Sequence, residues 1–325
     1  MTPRPHAPSP LDEALARFEG ARLAFVDGVW VNESVRGRDL KYYVFDWDDN
    51  VLCMPTRIHM ERLSHGRWVP HVCSTATFSV IRKDTARYRY PQGRRELAFV
   101  EFQDARTPLG GGGFMEDLER ALDAIAEGRR RPPPSFATFR KTLVEGRLFA
   151  IVTARGHASE TLRQGVERFI ERVLTPVERE VMLINLRGYS YCFDHVQTFP
   201  SQTAVLRRYL SLNRYHAITS PAFDRRLAAE APQITTQEGR KRFAIQDFVD
   251  HLTHILESTG MAALRRPISI GFSDDDPHNV AAVRDYIERD LLRRFPAVKF
   301  CVYDTSDGAG AHKMMISGQL ELPLE

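Results

Sequence analysis

The 325-residue sequence has little cysteine, little net charge and no long apolar run, and each shortage removes a class of function. Its four cysteines, Cys53, Cys73, Cys192 and Cys301, lie far apart with no C-x-x-C pair, so neither a zinc site nor a disulfide framework is indicated. A formal charge of +3, from 45 Lys and Arg against 42 Asp and Glu, exerts no strong pull on nucleic acid or an acidic membrane surface. Nowhere do 18 apolar residues run together, which argues against a membrane span. The Gly110–Gly113 run lacks the Lys-Ser or Lys-Thr of a P-loop, and no G-x-G-x-x-G follows an apolar strand, so nucleotide-cofactor folds have little support. The opening MTPRPHAPSP has four prolines and no apolar segment of signal-peptide type. It reads as a disordered leader, and a reducing cytoplasm is the expected location.

What is present is an α/β rhythm. Short apolar runs at Tyr42–Phe45, Leu148–Val152, Tyr215–Ile218, Ile268–Phe272 and Phe300–Tyr303 have the β-branched and aromatic content of buried strands. Between them, Leu162, Val166, Phe169, Ile170 and Val173 recur at helical spacing, as do Val280, Val283, Ile287 and Leu291. Such alternation predicts a central parallel sheet between helices, with strand ends and helix starts along one edge, where ligand sites form in open α/β sheets.

The segment 55–139 departs from this rhythm. It offers strands at Trp68–Val72 and Leu97–Phe102, the glycine run, a helix through Met115, Leu118, Leu122 and Ile125, and then RRRPPP, so it reads as an inserted cap or lid between hinges. An extension of the core sheet is the alternative. The stretch between Arg155 and Lys241 exceeds one helix and one strand, leaving room for a second elaboration.

The strongest local signal is YYVFDWDDNVL, where an apolar strand runs into Asp46, Trp47, Asp48, Asp49 and Asn50. Neighbouring carboxylates repel, so three at one strand exit call for a cation; helix-capping aspartates in a plain loop are the bland alternative. Oxygen ligands of this kind suit magnesium, which takes one or two carboxylates plus phosphate oxygens. ISIGFSDDDPHNV repeats the theme with Asp274, Asp275 and Asp276, although Asp before Pro is also a common helix start. Two acidic exits in one sheet can converge on one edge. In LFAIVTARGHASETL a strand ends at Thr153 just before a helix, where a hydroxyl and free amides can hold a phosphoryl oxygen; Arg155 and His157 either assist or are solvated.

In their order these motifs resemble those of the haloacid dehalogenase superfamily: D-x-D after a hydrophobic strand, a Thr or Ser ending another, a Lys, then an acidic pair after a further strand. The resemblance runs from Tyr42 to Ile287 and leaves the insertion outside it. It implies a Rossmann-like core built from 36–54 and 140–325, an inserted mixed α+β cap at 55–139, and a leader and N-terminal extension at 1–35. It also implies a magnesium-dependent phosphohydrolase. Asp46 would be the nucleophile that forms an aspartyl-phosphate, and Asp48 the general acid and then base. Thr153 would bind the transferring phosphoryl group beside Arg155, and Lys241, in TTQEGRKRFAIQDFV, would be the compensating cation. Magnesium would be held by Asp46, Asp48, Asp274 and Asp275, with Asp276 in reserve. Asn50 departs from the family's usual Thr, and Phe272 stands where one form of the last motif has its first Asp; the adjacent acids before Pro277 resemble the form seen in some polynucleotide phosphatases.

The expected substrate is a phosphomonoester, a small phosphometabolite or nucleotide. Two rivals remain: a polynucleotide-end phosphatase, suggested by those adjacent acids and by Arg129–Arg131, and a non-catalytic binding or regulatory protein of the same fold. A nucleic acid partner is not favoured and a membrane partner is not expected. His195 has no second His at i+3 or i+4 and reads as a core or capping residue, while His251 and His254 read as a helix surface.

Overall fold

The computed structural model describes residues 8–18, 20–104, 113–261, 266–307 and 311–317. An N-terminal hairpin joins β1 (Leu23–Val26) to β2 (Val29–Asn32), and β3 (Leu40–Phe45) enters the central sheet. Next, β4 (Ile58–Ser64), β5 (Arg67–Cys73) and β6 (Tyr88–Arg89) form a separate antiparallel sheet. The central sheet is completed by β7 (Phe149–Thr153), β8 (Arg214–Ala217), β9 (Ile268–Asp274), β10 (Val298–Asp304) and β11 (His312–Ser317), in the order β11-β10-β9-β3-β7-β8. All neighbours from β10 to β8 are parallel and β11 is antiparallel, so the protein is α/β with a mixed central sheet flanked by helices.

Each predicted core strand is present, for a simple reason. Successive side chains of a strand face opposite ways, so Val44 and Val152 enter one apolar cluster while Phe45 and Ile151 enter the other. The first is covered by the helix Gln237–Ser258, through Phe248 and Leu252, and by the helix Pro277–Tyr286. The second is covered by the helices Phe136–Val144, Ser159–Val173 and Pro176–Phe193. Each buried side chain of this size contributes roughly 1.5–3 kcal/mol. The edge strand β11 was outside the prediction of an all-parallel sheet. Its His312, Lys313 and Met315 are exposed, so it lacks the buried run that marks an interior strand.

Two other expectations need correction. Of the stretch MTPRPHAPSP read as a disordered leader, Ser9 and Pro10 belong to a helix and its cap: a capping box between Ser9 and Asp12 starts the helix Pro10–Ala16, and in the extension beyond it Asp27 and Gly28, both at positive φ, turn the hairpin. Helix and hairpin pack on Pro176–Phe193, the elaboration that fills the long interval after Arg155. That packing is close, since a Cβ at Gly188 would lie 2.2 Å from the Asn32 carbonyl oxygen. Met1–Ala7 lie outside the described residues. Second, Leu97–Phe102 is not a strand but the helix Arg95–Ala98 followed by a 3-10 turn, Val100–Phe102. The short apolar run fits both periods, and the i, i+4 pair Ala98 and Phe102 shares one apolar cluster with Ile58, Met60 and Cys73.

The insertion thus has a sheet and a small core of its own. Its helix Phe114–Ala126, however, packs Phe114, Leu118 and Leu122 into the main core against Ser159–Val173, which ties the segment down at its far end. Gly110–Gly112 lie outside the described residues. At the amino edge of the central sheet, Leu40, Leu148, Leu212 and Met261 border an apolar cavity of about 190 Å³. No helix among the described residues is long and apolar enough to cross a membrane.

Candidate active site

The chain leaves β3, builds β7 and β8 on one side, then returns to build β9 and β10 on the other, so the order reverses at β3 and β9. The carboxyl edge beside such a reversal is the preferred ligand crevice of open α/β sheets. Asp46 follows β3 directly, Asp274 ends β9 and Thr153 ends β7, which brings all three to this edge. The Asp46 amide donates to the Ser273 carbonyl at 3.0 Å, continuing the β3–β9 ladder into the acidic loops.

Lys241 comes from the start of the helix Gln237–Ser258, whose Thr236 cap accepts from the Gly239 amide. Its Nζ donates to Asp46 Oδ1 at 2.9 Å and to Asp274 Oδ2 at 2.6 Å, joining residues 195 and 33 positions away. All three side chains are buried. Burial pushes the Asp46 carboxyl well up; Lys241 opposes this, while Asp274, Asp275 and Asp48 add to it. Asp275 is pushed up to about 8, again by burial first and then by Asp274 and Asp49. For Lys241, burial alone would lower the pKa, but Asp274 and Asp46 carry it above its ordinary value. One ammonium therefore serves Asp46 and Asp274 with Asp275 beside them, an arrangement short of positive charge.

Asp48 is placed differently. Arg155, fully buried, forks onto its carboxylate, with Nη2 2.6 Å from Oδ1 and Nε 2.9 Å from Oδ2, and Thr153 Oγ1 donates to Oδ2 at 3.2 Å. Arg155 and Thr153 were expected to meet substrate; as the side chains stand, both face Asp48. His157 is buried against the Phe114 ring, and burial with the nearby Arg155 pushes it down to about 4, so it is neutral at pH 7.

The loop is fixed by Asn50. Its Nδ2 donates to the carbonyls of Asp46 at 3.0 Å and Ser273 at 3.2 Å, and its Oδ1 accepts from Ser135 Oγ at 2.8 Å and Thr305 Oγ1 at 3.0 Å. Asn50 thus braces both acidic exits. Ser135, Ser273 and Thr305 carried no sequence signal, being single hydroxyls whose partners are distant in the chain. Asp49 sits at positive φ and accepts from Thr75 of the insertion. Asp276 caps the helix Pro277–Tyr286, accepting from the His278 amide at 2.9 Å.

His195 is exposed at positive φ just past the helix Pro176–Phe193. His251 has both ring nitrogens engaged, by Arg214 and by the Leu212 carbonyl, and does not join His254 in a site.

The donors at this edge are all oxygens and carry more negative charge than Lys241 offsets, which suits a hard cation. Among the described residues no three acid, His or Cys side chains are grouped to hold a metal as they stand. The geometry explains it: the Lys241 ammonium lies between Asp46 and Asp274, and Asp48 is taken by Arg155. As the side chains stand, both Asp274 oxygens are engaged, by Lys241, the Asp276 amide and Asn279, and the carboxylate of Asp48, expected among the ligands, is held by Arg155. Set against family models, curated proteins and solved structures, the chain matches none of them.

Proposed function

We propose that this protein is a magnesium-dependent phosphohydrolase of the haloacid dehalogenase type, acting on a phosphomonoester such as a small phosphometabolite or nucleotide. The observation that carries the reading is Lys241, whose ammonium bridges Asp46 and Asp274 across three separate segments of chain. A solvated basic cluster would not bury its central lysine between two strand-exit carboxylates.

In this reading the Asp46 carboxylate attacks phosphorus in line, forming an O–P bond as the bond to the leaving oxygen breaks, and Asp48, entering the step in its protonated form, gives that proton to the oxygen and is left as the carboxylate that Arg155 holds. Asp48 then takes a proton from the water that attacks the aspartyl-phosphate, releasing phosphate and restoring Asp46. Lys241 offsets charge between nucleophile and phosphoryl oxygens, and the Thr153 hydroxyl, which meets Asp48 as the side chains stand, would turn to the same group. Magnesium, held by Asp46, Asp274 and Asp275, would supply further charge neutralisation on those oxygens. The insertion, resting on the edge through Thr75 and Asp49, would exclude water and select substrate.

Hydrolysis of 4-nitrophenyl phosphate, with magnesium and with a chelator, tests the reading. Turnover should require the metal and disappear in Asp46→Asn while the fold is kept, because an amide keeps the shape but cannot attack. Activity of Asp46→Asn within about tenfold of the parent would remove Asp46 from the nucleophile's role.

A further inference from the structure

The contacts of Arg155 do not stop at Asp48. The same Nη2 that meets Asp48 also donates to Thr56 Oγ1 at 2.8 Å, and the Thr56 hydroxyl donates to Asp117 Oδ2 at 2.6 Å. Thr56 and Asp117 both belong to the insertion and both are buried. The guanidinium lies 4.7 Å from the centre of the Phe102 ring and 5.4 Å from that of Phe114, again insertion residues. The loop after β7 is gripped from the same side: the Gly156 amide donates to the Phe102 carbonyl at 2.9 Å, and the Ala158 amide to Asp104 at 2.6 Å. Arg155 is thus fully buried and held on one side by a core carboxylate and on the other by insertion side chains, with its Nη1 left without a hydrogen-bond partner among the described residues.

We propose that Arg155 is a positioning residue through which the insertion, by way of Thr56 and Asp117, sets the attitude of the Asp48 carboxyl group for transfer of its proton to the leaving oxygen. This rests on the phosphohydrolase reading. With the insertion seated, the fork fixes both oxygens of Asp48 relative to Asp46. Loss of the Thr56 hydroxyl frees the guanidinium to rotate, and Asp48 turns with it. The nucleophile is untouched, because Asp46 is held by Lys241 and Asn50 and not by this chain.

The consequence is specific to the leaving group. A basic leaving oxygen needs the proton early, whereas 4-nitrophenolate leaves almost unaided. The value of kcat/KM reports the first chemical step and is free of the common second one. The experiment compares kcat/KM for 4-nitrophenyl, phenyl and ethyl phosphate in the parent, Thr56→Val, Asp117→Leu and Thr56→Ser. Thr56→Val and Asp117→Leu, which removes the acceptor of the Thr56 hydroxyl, should lose roughly ten- to a hundredfold on ethyl phosphate and about threefold or less on 4-nitrophenyl phosphate, with Thr56→Ser close to the parent throughout. Asp117→Leu tests the same link if Thr56→Val fails to fold. An equal loss on all three substrates, or no loss in either variant, overturns the role of Arg155 while leaving the phosphohydrolase reading intact. A parent inactive on all three overturns both.

Discussion

Asp46 and Asp48 leave the same strand two residues apart, yet their surroundings are opposed. Asp46 shares a single ammonium with Asp274, and Asp275 stands beside them; Asp48 is the one strand-exit acid that meets the Arg155 guanidinium and the Thr153 hydroxyl. The first half of the edge is short of positive charge and the second is balanced. Buried like charges stay together only if something offsets them, so the first half is where a cation would be taken up, and the second is where a fixed orientation is kept.

Removing each cation would break the comparison most directly. Lys241→Met leaves buried carboxylates facing one another and should cost about 3–5 kcal/mol in denaturant unfolding. Arg155→Met should cost less, about 1.5–3 kcal/mol, because the Asp48 side chain is 17% exposed and water can replace part of the lost hydrogen bonding. Equal costs would mean that the two halves do not differ as described.

A smaller effect follows from pH. Asp275 is pushed from its ordinary 3.8 to about 8, so the folded protein holds this proton more tightly than the unfolded chain. Its contribution to stability is complete below the ordinary value and is lost as pH rises through about 8. Asp46, pushed the same way, adds to the trend. Thermal melts in chelator should therefore fall from about pH 4 to about pH 8, and Asp275→Asn should flatten the fall. A parent melt that rises across this window would contradict the charge shortage.

How far these features were legible in the sequence depends on distance along the chain. The core strands and both acidic exits are local patterns, an apolar run followed by adjacent aspartates, and they stand where expected. Lys241 was found only through the order of motifs, since nothing near it distinguishes it from Arg240 and Arg242; in the fold, Arg240 turns to the Ile218 carbonyl and Asp224, and only Lys241 points into the edge. The fork of Arg155 was not legible, because its partners Asp48 and Thr56 lie in the loop after β3, 107 and 99 positions away, and no spacing rule links them to it. Leu97–Phe102 failed for the opposite reason: six apolar-rich residues satisfy strand and helix alike, and tertiary packing decided.

The most direct test of the central claim, that the acids of the two strand exits form one phosphoryl-transfer site, is a set of thermal melts with magnesium and beryllium fluoride, a mimic of a phosphoryl group on a carboxylate. Magnesium should raise the melting temperature of the parent by mass action and raise it less in Asp274→Asn/Asp275→Asn. Beryllium fluoride should add protection only when magnesium and Asp46 are both present, and none in Asp46→Asn. Equal protection in the parent, Asp46→Asn and the double variant would mean that these carboxylates do not act as one site.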